Sequence, residues 1–154
     1  MMAALPEIDS QRIGIFGHSE GGMLALEIAA RLQRDERAPA ALGLAATPGR
    51  TMDVVLREQL EDLAKRQGGT SAAQVATLGE VDRAIAAIKA SGRVPADLPP
   101  NVAPIFPSCL GQFFQSWFAV NPTELAQQCN GPMLLITGSD DNRFDLVGRS
   151  TALQ

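Results

Sequence analysis

Gly17-His18-Ser19-Glu20-Gly21 sets a serine between two glycines in the pattern Gly-x-Ser-x-Gly. A serine hydroxyl is a weak nucleophile until a base removes its proton. A protein that uses one must present it to substrate, pair it with an imidazole and stabilise the oxyanion its attack creates. The spacing answers the first need, because a sharp turn between strand and helix holds Ser19 in a strained conformation while Gly17 and Gly21 leave the room that side chains would occupy. In that geometry the backbone N–H of Glu20, at the start of the helix, is one oxyanion donor. The only histidine, His18, directly precedes the serine. It is not expected to be the base: neighbouring side chains on such a turn diverge, and a base needs hydrogen-bond reach of about 3 Å to the serine oxygen. Its expected role is packing or polar support.

The elements around this pentapeptide have the order that such a turn requires. Residues 12–16, Arg-Ile-Gly-Ile-Phe, read as a short buried strand stopped by Gly17. Residues 21–32 follow as a helix with Met23, Leu24, Ile28 and Leu32 at helical spacing and Ala25, Ala29 and Ala30 keeping it slim. Residues 39–46, Pro-Ala-Ala-Leu-Gly-Leu-Ala-Ala, form the continuous apolar run of a strand covered on both faces, ended by Thr47-Pro48-Gly49. Strand, helix, strand is the unit of an open α/β sheet with parallel strands, and ligands of such sheets bind at the carboxyl ends of the strands.

Beyond Arg50 the pattern turns helical, through 52–66 and 71–91, with Gly68-Gly69 between them and Gly92 as the stop. Residues 94–107 hold five prolines and predict irregular chain, and five of the seven aromatics fall between Phe106 and Phe118. Residues 132–137, Pro-Met-Leu-Leu-Ile-Thr, are again a buried strand, ended by Gly138. Asp140 and Asp141 are thereby expected at the carboxyl end of that strand, on the same sheet edge as Ser19.

The segment Arg12-Ile-Gly-Ile-Phe-Gly-His-Ser-Glu-Gly-Gly22 resembles the nucleophile elbow of the α/β-hydrolase superfamily. Ser116-Trp-Phe-Ala-Val-Asn-Pro-Thr-Glu-Leu125 and Pro132-Met-Leu-Leu-Ile-Thr-Gly-Ser-Asp-Asp141 extend the likeness to a bacterial branch described as dienelactone-hydrolase-like or serine-aminopeptidase-like. The resemblance implies a partial α/β-hydrolase fold: core segments 1–50 and 121–154, with a helical cap inserted at 51–120. It makes Asp141 the candidate triad acid, with Asp140 the neighbour most easily confused with it, and its task would be to orient and stabilise the imidazolium. It also implies that Phe113, Phe114, Trp117 and Phe118 belong to a cap over the active site, where they would either contact an acyl or aromatic substrate group or pack as core. The family's earlier strands, its second oxyanion loop and the histidine that follows the acid have no counterpart in these 154 residues. The expectation is therefore a fragment of a longer hydrolase, inactive by itself.

Composition narrows the partners. A net charge of -4 and a pI near 4.9 argue against a grip on nucleic acid or anionic lipid. No apolar run is long enough to span a membrane and no secretion signal opens the chain, which makes the cytoplasm the default expectation. Cys109 and Cys129 show no metal-ligand spacing and are expected as free thiols. The function expected is a serine hydrolase acting on a small carboxylic ester or related acyl substrate, without metal or organic cofactor. A peptidase or thioesterase is the alternative among enzymes, and a non-catalytic binding or interaction module of the same fold is the alternative outside them. Nothing in the sequence sets an oligomeric state.

Overall fold

The computed structural model describes residues 5–68 and 71–138. In chain order its elements are β1 (Ile15–His18), α1 (Glu20–Arg34), β2 (Leu42–Ala45), α2 (Met52–Arg66), α3 (Ala72–Ser91), α4 (Gly111–Phe118), α5 (Pro122–Gln127) and β3 (Met133–Ile136). Short 3₁₀ turns occupy Ser10–Arg12, Ala103–Ile105 and Ser108–Leu110. The chain forms two compact units, one from the stretches up to Arg50 and from Asn121 onward, the other from Thr51–Val120.

The first unit holds a three-stranded sheet in the order β1-β2-β3 with both pairs parallel. Parallel neighbours need a crossover, which α1 supplies between β1 and β2. Register is level: Ile15, Leu42 and Met133 lie side by side, as do His18, Ala45 and Ile136, so all three strands end at one edge. The ladder runs one residue past the strands, with the Ser19 N–H donating to the Ala45 carbonyl at 2.8 Å and the Ala46 N–H to the Ile136 carbonyl at 2.7 Å.

Helix α1 packs on one sheet face through Ala25, Leu26 and Ala29 against Leu42 and Leu44, with Ala126 of α5 completing the cluster. The apolar spacing predicts Leu24 and Ile28 in the buried stripe, but they are 49% and 47% exposed. A 3.6-residue turn puts 22, 25, 26, 29 and 30 on one side and 24 and 28 on another, and the side rich in small residues is the one that can lie close to strands. The opposite sheet face carries Phe16, Leu134 and Ile136, all exposed, and the Phe16 ring lies over Gly43. Helix α5 lacks apolar periodicity and is marked by its start: the Asn121 side chain accepts from the N–H groups of Thr123 and Glu124, and Pro122 sits in the first turn. Cys129 packs beside this cluster, and both it and Cys109 are free thiols.

In the second unit α3 packs against α2 and α4 around Val55, Val81, Ile88, Phe106 and Phe118. Helix α3 opens on a reciprocal cap, Ser71 Oγ accepting from the Gln74 N–H and Gln74 Oε1 from the Ser71 N–H. It ends at Gly92, whose φ of 65° is left-handed. Two charged contacts cross from α2 to α3: Arg57 to Asp82 at 2.7 Å, and Lys89 to Asp53. Among the described residues no helix is long and apolar enough to cross a membrane.

Asp53 is buried, and burial alone would raise its pKa. Hydrogen bonds from Lys89 and Thr51, with the Lys89 charge, outweigh that and hold the carboxyl below its ordinary value. A folded-state pKa that is depressed contributes stability above the unfolded value, and that contribution disappears as pH falls through the folded one. Lys89→Met is therefore expected to destabilise the helical unit by about 1–2 kcal/mol at neutral pH, Lys89 being half exposed and screened. The loss should shrink in acid, once pH has fallen through the depressed folded-state pKa and Asp53 is protonated in both proteins. Urea unfolding followed by circular dichroism at neutral and at acid pH checks this; an equal loss at both would assign the effect to something other than the ion pair.

Candidate active site

Strand β1 ends at His18 and α1 begins at Glu20, so Ser19 alone makes the turn, with φ 54° and ψ -123°. That conformation costs a residue with a side chain about 1–3 kcal/mol. Gly17 makes the turn possible, since a Cβ there would stand 2.2 Å from the Gly21 carbonyl oxygen and 2.5 Å from the Gly22 nitrogen. The hydrogen bond from the Ser19 N–H to Ala45 ties the turn to the sheet. Ser19 occupies the N-cap position, yet its side chain makes no capping hydrogen bond, so the hydroxyl is not spent on the helix as an N-cap serine's usually is. It is partly buried at the amino end of a fifteen-residue helix, where free N–H groups and the helix dipole favour negative charge. The arrangement can present an oxygen nucleophile and stabilise an oxyanion next to it.

His18 lies on the strand face it shares with exposed Phe16, whereas Gly17 points to the buried face under α1. Glu20 is exposed in the first helical turn. The pentapeptide's second glycine behaves differently from its expected part. A Cβ at Gly21 would meet nothing within 4 Å, and the close approach falls at Gly22, where a Cβ would stand 1.7 Å from Thr47 Oγ1. Gly22 and Thr47 are the residues that inspection of the motif missed; two glycines at the start of a helix, where each is unfavourable, are the signal that one of them is demanded by a contact. Ala46, just before Thr47, is left-handed as well, with φ 46°.

Asp141, the candidate acid, and Asp140 lie outside the described residues. The strand leading to them, β3, ends level with His18 and Ala45, and Thr137 and Gly138 leave it at the Ser19 edge. The four aromatic candidates sit on α4 of the other unit and divide by role. Phe114 and Phe118 are buried and stacked at 5.7 Å, with Phe106 edge-on to Phe114 at 5.6 Å. Phe113 is 49% exposed and stacks on Trp117 at 5.8 Å. Trp117 Nε1 is buried and has no hydrogen-bond partner among the described residues.

A parallel sheet flanked by helices, turning from strand to helix through a left-handed serine, is a partial α/β-hydrolase fold. The family model described as Thioesterase domain matches residues 6–96, more than half of the chain, and the chain belongs to that family, a member of the α/β-hydrolase superfamily. The match gives it, at the level of the family, a serine-hydrolase-type function on acyl substrates. No curated protein and no solved structure matches the chain.

The geometry separates the two adjacent glycines. Gly22→Ala is expected to cost about 1–3 kcal/mol by forcing Thr47 away from α1, while Gly21→Ala is expected to be neutral or to stabilise by up to about 1 kcal/mol. Chemical denaturation of the two variants checks the order, and a larger loss at Gly21 would contradict it.

Proposed function

We propose that Ser19 is the nucleophile of an acyl hydrolase that forms an acyl-Ser19 intermediate, and that its substrates are small acyl thioesters. The observation that carries the reading is the left-handed Ser19, with its hydroxyl free of capping duty, at the amino end of α1. In this mechanism an imidazole takes the hydroxyl proton as the oxygen attacks the acyl carbon, and the Glu20 N–H helps hold the oxyanion. The C–S bond breaks to release thiolate as the carbonyl re-forms, and water then hydrolyses the acyl-Ser19 ester. Asp141 orients the imidazolium, as the resemblance to the dienelactone-hydrolase-like and serine-aminopeptidase-like branch implies.

Family membership favours a thioester over an oxygen ester or an amide, and chemistry agrees. A thiol with a pKa of about 8.5 leaves as its anion, whereas an alkoxide or amide nitrogen needs a proton from a general acid. The imidazole that serves as base is not His18, which faces the other side of the strand, so it has to reach Ser19 from outside these 154 residues. The helical unit 51–120 is read as the family's cap-type insertion. Phe113 and Trp117 are the aromatics least absorbed into its core. A non-catalytic binding module is the second reading, favoured by the single histidine.

A fluorophosphonate probe in buffer containing free imidazole tests the proposal. Mass mapping is expected to find the adduct on Ser19, formed faster as imidazole rises and absent from Ser19→Ala. A matched thioester and oxygen ester under the same conditions are expected to acylate Ser19 in that order of rate. No adduct at Ser19 at any imidazole concentration would sink the nucleophile and favour the binding module.

A further inference from the structure

The chain leaves β2 through a turn that repeats the strain of the one after β1. Ser19 and Ala46 are each the first residue past a strand, each has a positive φ, and neither is glycine. The ladder sets them side by side, through the bonds from the Ser19 N–H to Ala45 and from the Ala46 N–H to Ile136. Backbone strain of this kind persists only where the surroundings over-determine it, so the question is what the turn at Ala46 achieves.

It delivers Thr47 onto the first turn of α1. The place a Cβ would take at Gly22 lies 1.7 Å from Thr47 Oγ1 and 2.7 Å from both Cβ and Cγ2, so hydroxyl and methyl alike are wedged against the glycine. Gly22 is buried and its N–H donates to the Ser19 carbonyl at 3.0 Å. On its other side Thr47 Oγ1 donates at 3.4 Å to the Ala45 carbonyl, the same oxygen that accepts the Ser19 N–H. Thr47 thus touches the Ser19 turn at both ends, through Gly22 after it and Ala45 beside it. A β-branched side chain suits such a wedge because its χ1 is stiff.

We infer that Thr47, aimed by the strained turn at Ala46, is a positioning residue: it clamps the first turn of α1, and with it the Ser19 hydroxyl and the Glu20 N–H, in the geometry that acyl transfer requires. The inference rests on the reading of Ser19 as nucleophile. Thr47 touches no reacting atom and acts through Gly22 and Ala45. Shape matters more than the hydroxyl, whose hydrogen bond is long, so valine is expected to serve and alanine to fail.

The experiment takes the full chain as Thr47→Ala, Thr47→Val and Thr47→Ser, each checked by circular dichroism for the folded state. Two quantities are measured: native-state amide exchange at Ser19 and Gly22, and the rate of Ser19 modification by the fluorophosphonate with imidazole. In Thr47→Ala both N–H groups are expected to exchange about tenfold faster and modification to slow by about tenfold or more, since small misplacement of a reacting group is costly. Thr47→Val is expected to restore both; if Thr47→Ala does not fold, Thr47→Ser, which lacks only the methyl, takes its place. Unchanged exchange overturns the clamp. Faster exchange with unchanged modification leaves Thr47 merely structural and overturns the positioning role. Exchange that responds to Thr47 in a protein whose Ser19 never reacts supports the clamp and overturns the nucleophile instead.

Discussion

The Cα of Gly17 approaches the peptide of Gly21 and Gly22 so closely that even a methyl group would not fit between them. That approach lets the chain reverse from strand to helix through one residue. The rest of the edge follows from it. Ser19 has to be left-handed, its carbonyl receives the Gly22 N–H, and its own N–H continues the parallel ladder to Ala45. A looser turn would return the serine to the ordinary extended N-cap conformation, where its hydroxyl would be drawn to the helix amides and be a poorer nucleophile.

The two units are held by different means. The sheet unit relies on closeness: alanines of α1 lie on Leu42 and Leu44, while larger apolar residues such as Leu24, Phe16 and Leu134 face outward. The helical unit relies on bulk and charge, with phenylalanines in mutual ring contact and cations of one helix reaching carboxylates of the next. Small contact surfaces on the first unit make its geometry depend on a few tight contacts, and those are concentrated at the edge where Ser19 stands.

What could be read from the sequence was local. The Gly-x-Ser-x-Gly turn, helix α2 over 52–66 and the stop at Gly92 are set by neighbours a few residues away, and periodicity and end signals located them. Periodicity locates an apolar stripe without saying which side the sheet will take, so Leu24 and Ile28 were expected inside and lie outside. Helix α5 is short, and its evidence is one capping asparagine and one proline. The demand for glycine at 22 was invisible because its cause, Thr47, arrives from the far side of a crossover, brought there by a left-handed alanine that no propensity foretells.

The chain has one tryptophan and no tyrosine, and that tryptophan, Trp117, sits among phenylalanines on α4. Near-ultraviolet absorption and intrinsic fluorescence therefore come almost wholly from the helical unit, and the sheet unit is optically silent there. Emission will follow the melting of one half of the molecule, and backbone ellipticity that of both. Any disagreement between the two signals measures how independently the halves unfold.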